Sequence, residues 1–187
     1  SKYHVQKAAH RICEMLGSKN PINLEVYGLR KYKPEQRLSL IEYAINNTNN
    51  IGLIVIDGVR DLVTSINDEE QATEIASCLL KWTEEKNIHI ISVLHQNKSD
   101  NNARGHLGSE LVNKAETVLS VTKDESTKEI SIVQAEYCRD KEPDSFAFEI
   151  SNDSLPVVVS DWEIKKKDPS KITISDIEEF KKFELLN

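Results

Sequence analysis

The stretch IGLIVIDG, residues 51–58, places four consecutive apolar residues directly before Asp57. An unbroken apolar run rich in β-branched residues is typical of a central parallel strand covered on both faces. A second run of this kind, IHIISVL, occupies residues 88–94. Between the two runs, apolar residues recur at helical spacing over 69–86, and Asp68 stands at the position of an N-cap. The order strand, helix, strand predicts an α/β sheet with parallel strands.

The rest of the chain adds helices around this unit and further strands after it. Helical spacing and punctuation predict helices near 1–16, 35–47 and 109–115, and a half-exposed strand at INLEVY, 22–27. Alternating segments joined by short charged turns predict strands at 117–121, 128–139 and 145–150. We expect these to extend the same sheet in antiparallel fashion. The predicted fold class is therefore α/β, a mainly parallel sheet with helices on both faces and an antiparallel C-terminal extension.

We divide the chain into a core, residues 1–150, and a C-terminal part, residues 151–187. The C-terminal part contains an edge strand near 157–159, a charged linker, and an amphipathic helix over 175–186. Two roles stay open for this helix, because its apolar stripe can pack on the sheet or dock on a neighbouring subunit.

Composition excludes several classes of protein. The chain has 187 residues, a net charge of −7 and three cysteines without CxxC spacing. No apolar run approaches the roughly 20 residues that span a bilayer, so we expect no membrane protein. The cysteine pattern excludes a disulfide scaffold and a zinc ribbon and favours the cytoplasm. An acidic chain does not bind DNA with its whole surface, so any DNA contact requires a local basic loop or a ring of subunits.

Polar side chains follow both buried strands. Asp57 ends the first strand, and His95 and Gln96 directly follow the second. Open α/β sheets bind ligands at the carboxyl ends of their strands, and a carboxylate there can hold Mg²⁺. The alternative is that Asp57 caps the next loop and that His95 and Gln96 merely begin a polar one.

Basic residues occur in two places beyond these strands. The loop KSDNNARGHLGS, 98–109, carries Lys98, Arg104 and His106, and a long loop of this kind is a candidate DNA contact or a solvated connection. Arg139 and Lys141 end the long strand and can reach a neighbouring subunit or form salt bridges with nearby acidic residues. The set Asp57, Asp61 and Glu69 offers a weaker alternative, a nuclease-like metal site.

In this order, the segments LIVIDG (53–58), IISVLHQNKSD (90–100), RGHLGSELVNKAETVLSV (104–121) and AEYCRDKEP (135–143) resemble RecA-like ATPases. The similarity is to the branch that contains hexameric replicative helicases of the DnaB and RepA kind, and it covers about residues 1–150.

The resemblance implies an ATPase with Mg²⁺ and ATP as cofactors, acting in a homo-oligomer, such as a hexameric ring, that handles DNA. It implies Mg²⁺ binding by Asp57 and γ-phosphate sensing by His95, with Gln96 beside the nucleotide. It further implies a DNA-facing loop over 98–108 with Lys98, Arg104 and His106. Arg139, with Lys141, would reach the ATP of the adjacent subunit.

One part of the family pattern is missing. The sequence contains no GxxxxGK[ST] motif, and its six glycines offer no such spacing. The chain begins at Ser1 within a helical pattern, and we expect the phosphate-binding loop and its strand upstream. We therefore expect the 187-residue chain alone to bind ATP weakly or not at all. The alternative function is a non-catalytic, ATPase-derived module used for assembly.

Overall fold

The computed structural model describes residues 2–96, 105–160 and 162. Its helices are α1 (Lys2–Met15), α2 (Pro34–Asn47), α3 (Glu69–Lys86) and α4 (Gly105–Lys114), with a short 3₁₀ helix at Val59–Leu62. Its strands are β1 (Leu53–Asp57), β2 (His89–Val93), β3 (Thr117–Lys123), β4 (Ser131–Cys138), β5 (Phe146–Ile150) and β6 (Pro156–Val158). Among the described residues, no helix has the length and apolar character needed to cross a membrane. The predicted α/β class is confirmed.

The two apolar runs form a parallel pair, β1 with β2, in which Leu53 is opposite His89 and Asp57 is opposite Val93. Helix α3 connects the two strands, as predicted. The carboxylate of Asp68 accepts a hydrogen bond from the Gln71 amide nitrogen at 3.0 Å, which caps the first turn of α3. The same bonds hold the pKa of the Asp68 carboxyl below its ordinary value. Local capping and apolar periodicity thus determine this strand–helix–strand unit.

The core lies between the parallel pair and the helices α2, α3 and α4. Even-numbered strand residues such as Ile54 and Ile56 point to this side and contact the cluster. The buried members of the cluster are Ile45, Ile56, Val59, Leu62, Val63, Ala72, Ile75, Leu79, Trp82, Ile88 and Leu107. Burying these side chains is the main stabilising contribution to this half of the molecule.

The opposite face of the parallel pair is open, which differs from the predicted cover on both faces. Leu53 and Val55 are 55% and 58% exposed, and Ile91 and Val93 are 44% and 42% exposed. A four-residue apolar run has apolar residues on both faces whether or not both are covered, because successive side chains alternate. The described helices pack on one face only, so we name Leu53, Val55, Ile91 and Val93 the open face.

The antiparallel strands are a sheet of their own, ordered β3-β4-β5-β6. The prediction of four strands near these positions is confirmed, but no hydrogen-bonded ladder joins them to the parallel pair among the described residues. The sequence pattern determines which segments are strands, whereas the pairing depends on how α4 places β3.

The prediction of a strand at 22–27 is wrong, since these residues form turns and extended chain without a ladder. Ile22 is fully exposed and Tyr27 is 59% exposed, so the alternating pattern has no neighbouring strand to pair with. Helix α1 is present as predicted, but none of its residues is buried. The division at residue 150 stays a prediction, and the helix predicted at 175–186 lies outside the described residues.

Candidate functional site

Asp57 is the last residue of β1 and lies at the carboxyl edge of the parallel pair. Its side chain is exposed, and within the described part of the chain it takes part in no hydrogen bond or salt bridge. Gly58 follows with φ 84° and is the N-cap of the 3₁₀ helix, which has no side-chain cap. The carboxylate therefore does not cap the next turn and is free to bind a cation or a donor.

His95 and Gln96 follow β2 at the same edge. Val93 is opposite Asp57 in the ladder, so His95 lies two residues beyond the end of the paired strand. His95 is exposed, whereas Gln96 is half-buried and takes part in an isolated β-bridge. The structure thus brings the first acid and the second strand's polar tip to one edge, because both strands run in the same direction.

The predicted DNA-facing loop is only partly described. Lys98 and Arg104 lie outside the described residues, while His106 is exposed in the first turn of α4. Helix α4 begins at Gly105, four residues before the predicted start at 109. The glycines, which suggest a flexible loop, are instead packing positions: Gly105 has φ +70° and Gly108 is buried. The end of the predicted loop, residues 105–108, is therefore helical.

Arg139 lies directly after β4, at the C-terminus of α4. Its Nε donates to the Ala115 carbonyl at 3.2 Å, and its Nη2 donates to the Asn113 carbonyl at 3.0 Å. Glu116, rather than one of the acids at 140–144, is its ion-pair partner, at 4.0 Å. A cation on the last carbonyls of a helix is electrostatically favourable. Arg139 therefore holds the end of α4, and its role as an arginine finger stays a prediction.

Lys141 is exposed in the turn after Arg139. Its backbone nitrogen donates to the Asp140 carboxylate at 2.8 Å, and its carbonyl accepts from Cys138 Sγ at 3.5 Å. The backbone of this turn is thus fixed while the ammonium group extends into solvent. Lys141 and Arg139 are close in sequence, but the described structure gives them different partners.

Arg37 has a role that sequence reasoning missed. Its guanidinium donates to the carbonyls of Leu29 at 3.2 Å, Arg30 at 3.1 Å and Asp61 at 2.6 Å. It also lies 3.9 Å from the Asp61 carboxylate, and only 16% of its side chain is exposed. Arg37 thereby ties the segment before α2 to the 3₁₀ helix that follows Asp57. Its partners are main-chain carbonyls, which no motif marks, so only three-dimensional structure could reveal it.

The described residues do not by themselves fit Mg²⁺ with ATP. They contain no group of three or more histidine, cysteine, aspartate or glutamate side chains placed to hold a metal ion, which also removes the nuclease-like alternative from this part of the chain. Asp57 offers one carboxylate, and the sequence has no glycine-rich phosphate loop. The arrangement can supply one acidic ligand and a neighbouring polar tip to a site completed by other residues.

No protein-family model matches the chain. No curated protein matches it. Among solved structures, the ATPase domain of a DnaB-like helicase is similar over 63% of this chain, with a TM-score of 0.46 and 18% sequence identity. The chain spans about half of that structure, 48% of its length.

Proposed function

We propose that this chain is a portion of a RecA-like ATPase that couples ATP hydrolysis to DNA handling in an oligomer. The observation that carries the proposal is the shared edge of the parallel pair, where Asp57 ends β1 beside the strand that leads into His95. The order of the elements supports it, because α4 and an antiparallel strand ending at Arg139 follow that edge. Both features match the segments on which the sequence resemblance rests.

Each residue has one proposed role. Asp57 is the Mg²⁺ ligand, and His95 and Gln96 face the terminal phosphate of ATP. Lys98, Arg104 and His106 belong to the DNA-facing segment 98–108. Arg139, with Lys141, reaches the nucleotide of an adjacent subunit. The phosphate-binding loop has to come from residues that this chain does not contain.

The decisive experiment compares Asp57→Asn with Asp61→Asn in the protein of the complete reading frame. Asp61 is the matched control, since it is a nearby exposed acid already paired with Arg37. We expect Asp57→Asn to lower the rate of ATP hydrolysis about a hundred-fold or more, because a metal ligand contributes several kcal/mol to transition-state stabilisation. We expect Asp61→Asn to hydrolyse ATP near the parental rate. Equal rates in both variants, or no hydrolysis by the complete protein, would overturn the proposal.

A companion measurement concerns the 187-residue chain itself. Titration with a fluorescent ATP analogue is expected to show weak binding or none, because the backbone nitrogens that cradle phosphates are missing. Micromolar affinity would contradict this expectation and show that the chain binds nucleotide without a P-loop.

The open face favours a second candidate, an assembly module without catalysis. Contiguous exposed apolar side chains mark association surfaces, and Leu53, Val55, Ile91 and Val93 are all more than 40% exposed. An assembly module requires this face but not Asp57. A complete protein that assembles but whose ATP hydrolysis is absent favours this candidate.

A further inference from the structure

Three cations lie within four residues just before α2. Residues 30–33 read Arg-Lys-Tyr-Lys, and we name them the basic turn. Arg30, Lys31 and Lys33 are exposed, and within the described part of the chain none of them forms a salt bridge. In a chain with a net charge of −7, the basic turn is a local region of opposite sign.

The backbone of the basic turn is fixed at several points. The Tyr32 amide donates to the Leu29 carbonyl at 3.0 Å, which closes a turn. Arg37 binds the carbonyls of Leu29 and Arg30, and the Lys33 amide donates to the Gln36 side chain at 3.0 Å. A ligand that binds here therefore does not have to order the backbone, which lowers the entropic cost of binding.

The acidic groups close to the basic turn have other partners or a favourable position. Glu25 accepts a hydrogen bond from Tyr27, and Asp61 is paired with Arg37. Glu35 lies in the first turn of α2, where the helix dipole favours a carboxylate. The three cations thus keep their charge available for an anion from outside the chain.

Tyr32 adds an aromatic ring to the same segment. The Lys31 ammonium lies 4.8 Å from the centre of the Tyr32 ring. The ring also borders a shallow depression lined by Tyr32, Glu35, Gln36, Ser39 and Leu40. Single-stranded nucleic acids are bound by cations that follow the backbone and by aromatic rings that stack on bases, and the basic turn offers both.

The position of the basic turn connects it to the candidate site. Arg37 bonds to the main chain of the turn on one side and to Asp61 on the other, and Asp61 belongs to the 3₁₀ helix that begins two residues after Asp57. One guanidinium therefore spans the gap between the basic turn and the segment that follows the proposed metal ligand.

We propose that the basic turn is a binding site for single-stranded nucleic acid. Arg30, Lys31 and Lys33 bind backbone phosphates, and Tyr32 stacks on a base. The inference deepens the DNA handling of the proposed function and rests on it only for that partner. It assigns no role in ATP hydrolysis to these residues, so the two can fail separately.

The test measures binding of a fluorescently labelled oligothymidylate to the 187-residue chain by anisotropy. The variant Arg30→Gln with Lys31→Gln and Lys33→Gln is compared with a control that carries Lys7→Gln, Lys19→Gln and Lys86→Gln. The control lysines are exposed and distant from one another in sequence, and they change the net charge equally. Circular dichroism verifies that both variants are folded.

We expect the slope of log affinity against log salt to become less steep by about 2 in the basic-turn variant, since each phosphate contact contributes about 0.7 for a single strand. The control keeps the parental slope. Tyr32→Ala lowers affinity roughly five-fold or more, while Tyr32→Phe retains it because the ring is kept.

Equal slopes in the two triple variants would overturn the inference and leave the proposed function standing. Equal displacement of the oligonucleotide by tripolyphosphate at matched phosphate concentration would also overturn it, because the turn would then bind any phosphate. Turn-dependent binding of polyglutamate without binding of the oligonucleotide would overturn it in favour of an acidic protein partner. Turn-dependent oligonucleotide binding supports it even if the complete protein does not hydrolyse ATP, a result that overturns the proposed function alone.

Discussion

Replacement of Gly105 by alanine tests how α4 is anchored. Gly105 begins α4 with φ +70°, and a Cβ there would lie 2.7 Å from the Ile66 carbonyl oxygen and 2.8 Å from Asn67 Oδ1. The Leu107 amide donates to the same Ile66 carbonyl at 3.1 Å, and the Leu107 side chain is fully buried in the core. The new methyl group therefore forces apart the loop and the helix that packs on it.

Two costs add at this position. The left-handed conformation costs an alanine about 1–2 kcal/mol relative to glycine. The clash weakens the Leu107 hydrogen bond and loosens the packing around it, which adds about 1–2 kcal/mol. We therefore expect Gly105→Ala to lower the free energy of unfolding by about 2–4 kcal/mol, a large part of the total stability of a domain.

Gly58→Ala is the matched control for this measurement. Gly58 also has a positive φ, +84°, but a Cβ there meets no atom within 4 Å. Only the conformational cost of about 1–2 kcal/mol applies to it. Urea unfolding followed by tryptophan fluorescence reports the core directly, since Trp82 is 2% exposed within it. The clash argument is refuted if the two variants lose the same stability within about 0.5 kcal/mol.

Three further predictions concern polar groups that hold the fold. Arg37→Met leaves three carbonyls without their donor, whereas Arg60→Met removes a single bond, to the Val63 carbonyl at 3.2 Å, so urea unfolding should show a loss of about 2–3 kcal/mol for Arg37 and clearly less for Arg60. Hydrogen bonds from Gln71 hold the pKa of Asp68 below its ordinary value of 3.8, so its stabilising effect is present above that pH and is lost as pH falls through the lower folded-state pKa. Asp68→Asn should therefore lose less stability than the parent between about pH 5 and pH 2, and parallel acid dependences would contradict this. Arg139→Met should speed hydrogen exchange in the last turn of α4 while leaving α3 unchanged, and equal protection in the variant and the parent would show that the guanidinium does not hold the helix end.

The sequence predicted the strand–helix–strand unit because its signals are local and agree with one another. The apolar periodicity of α3 and the cap at Asp68 predicted a helix over 69–86, and the structure has Glu69–Lys86. Asn87 ends the helix in the left-handed conformation, which asparagine tolerates. Two buried strands around such a helix leave few other topologies, and the side-by-side placement of Asp57 and His95 follows from parallel pairing.

The remaining differences arise where the outcome depends on distant contacts. Gly105 indicates flexibility when its neighbours are unknown, yet it is the residue that the Ile66 carbonyl requires. The alternating pattern of 22–27 is suited to a strand, but a strand needs a partner ladder, and none lies beside it among the described residues. Arg37 and Arg139 both donate to main-chain carbonyls, which carry no sequence information about their partner.

Arg139 links the two ends of the proposed mechanism. Its guanidinium is planar and rigid, and the bonds from Nε and Nη2 to the end of α4 fix the direction of the whole group. Nη1 has no hydrogen-bond partner among the described residues, and nearly half of the side chain, 46%, is exposed. A phosphate of a neighbouring subunit would therefore have to approach along Nη1, in an orientation set by α4. Because α4 begins within the predicted DNA-facing segment, a shift of that segment would turn the arginine, so on the proposed function the same helix carries both contacts.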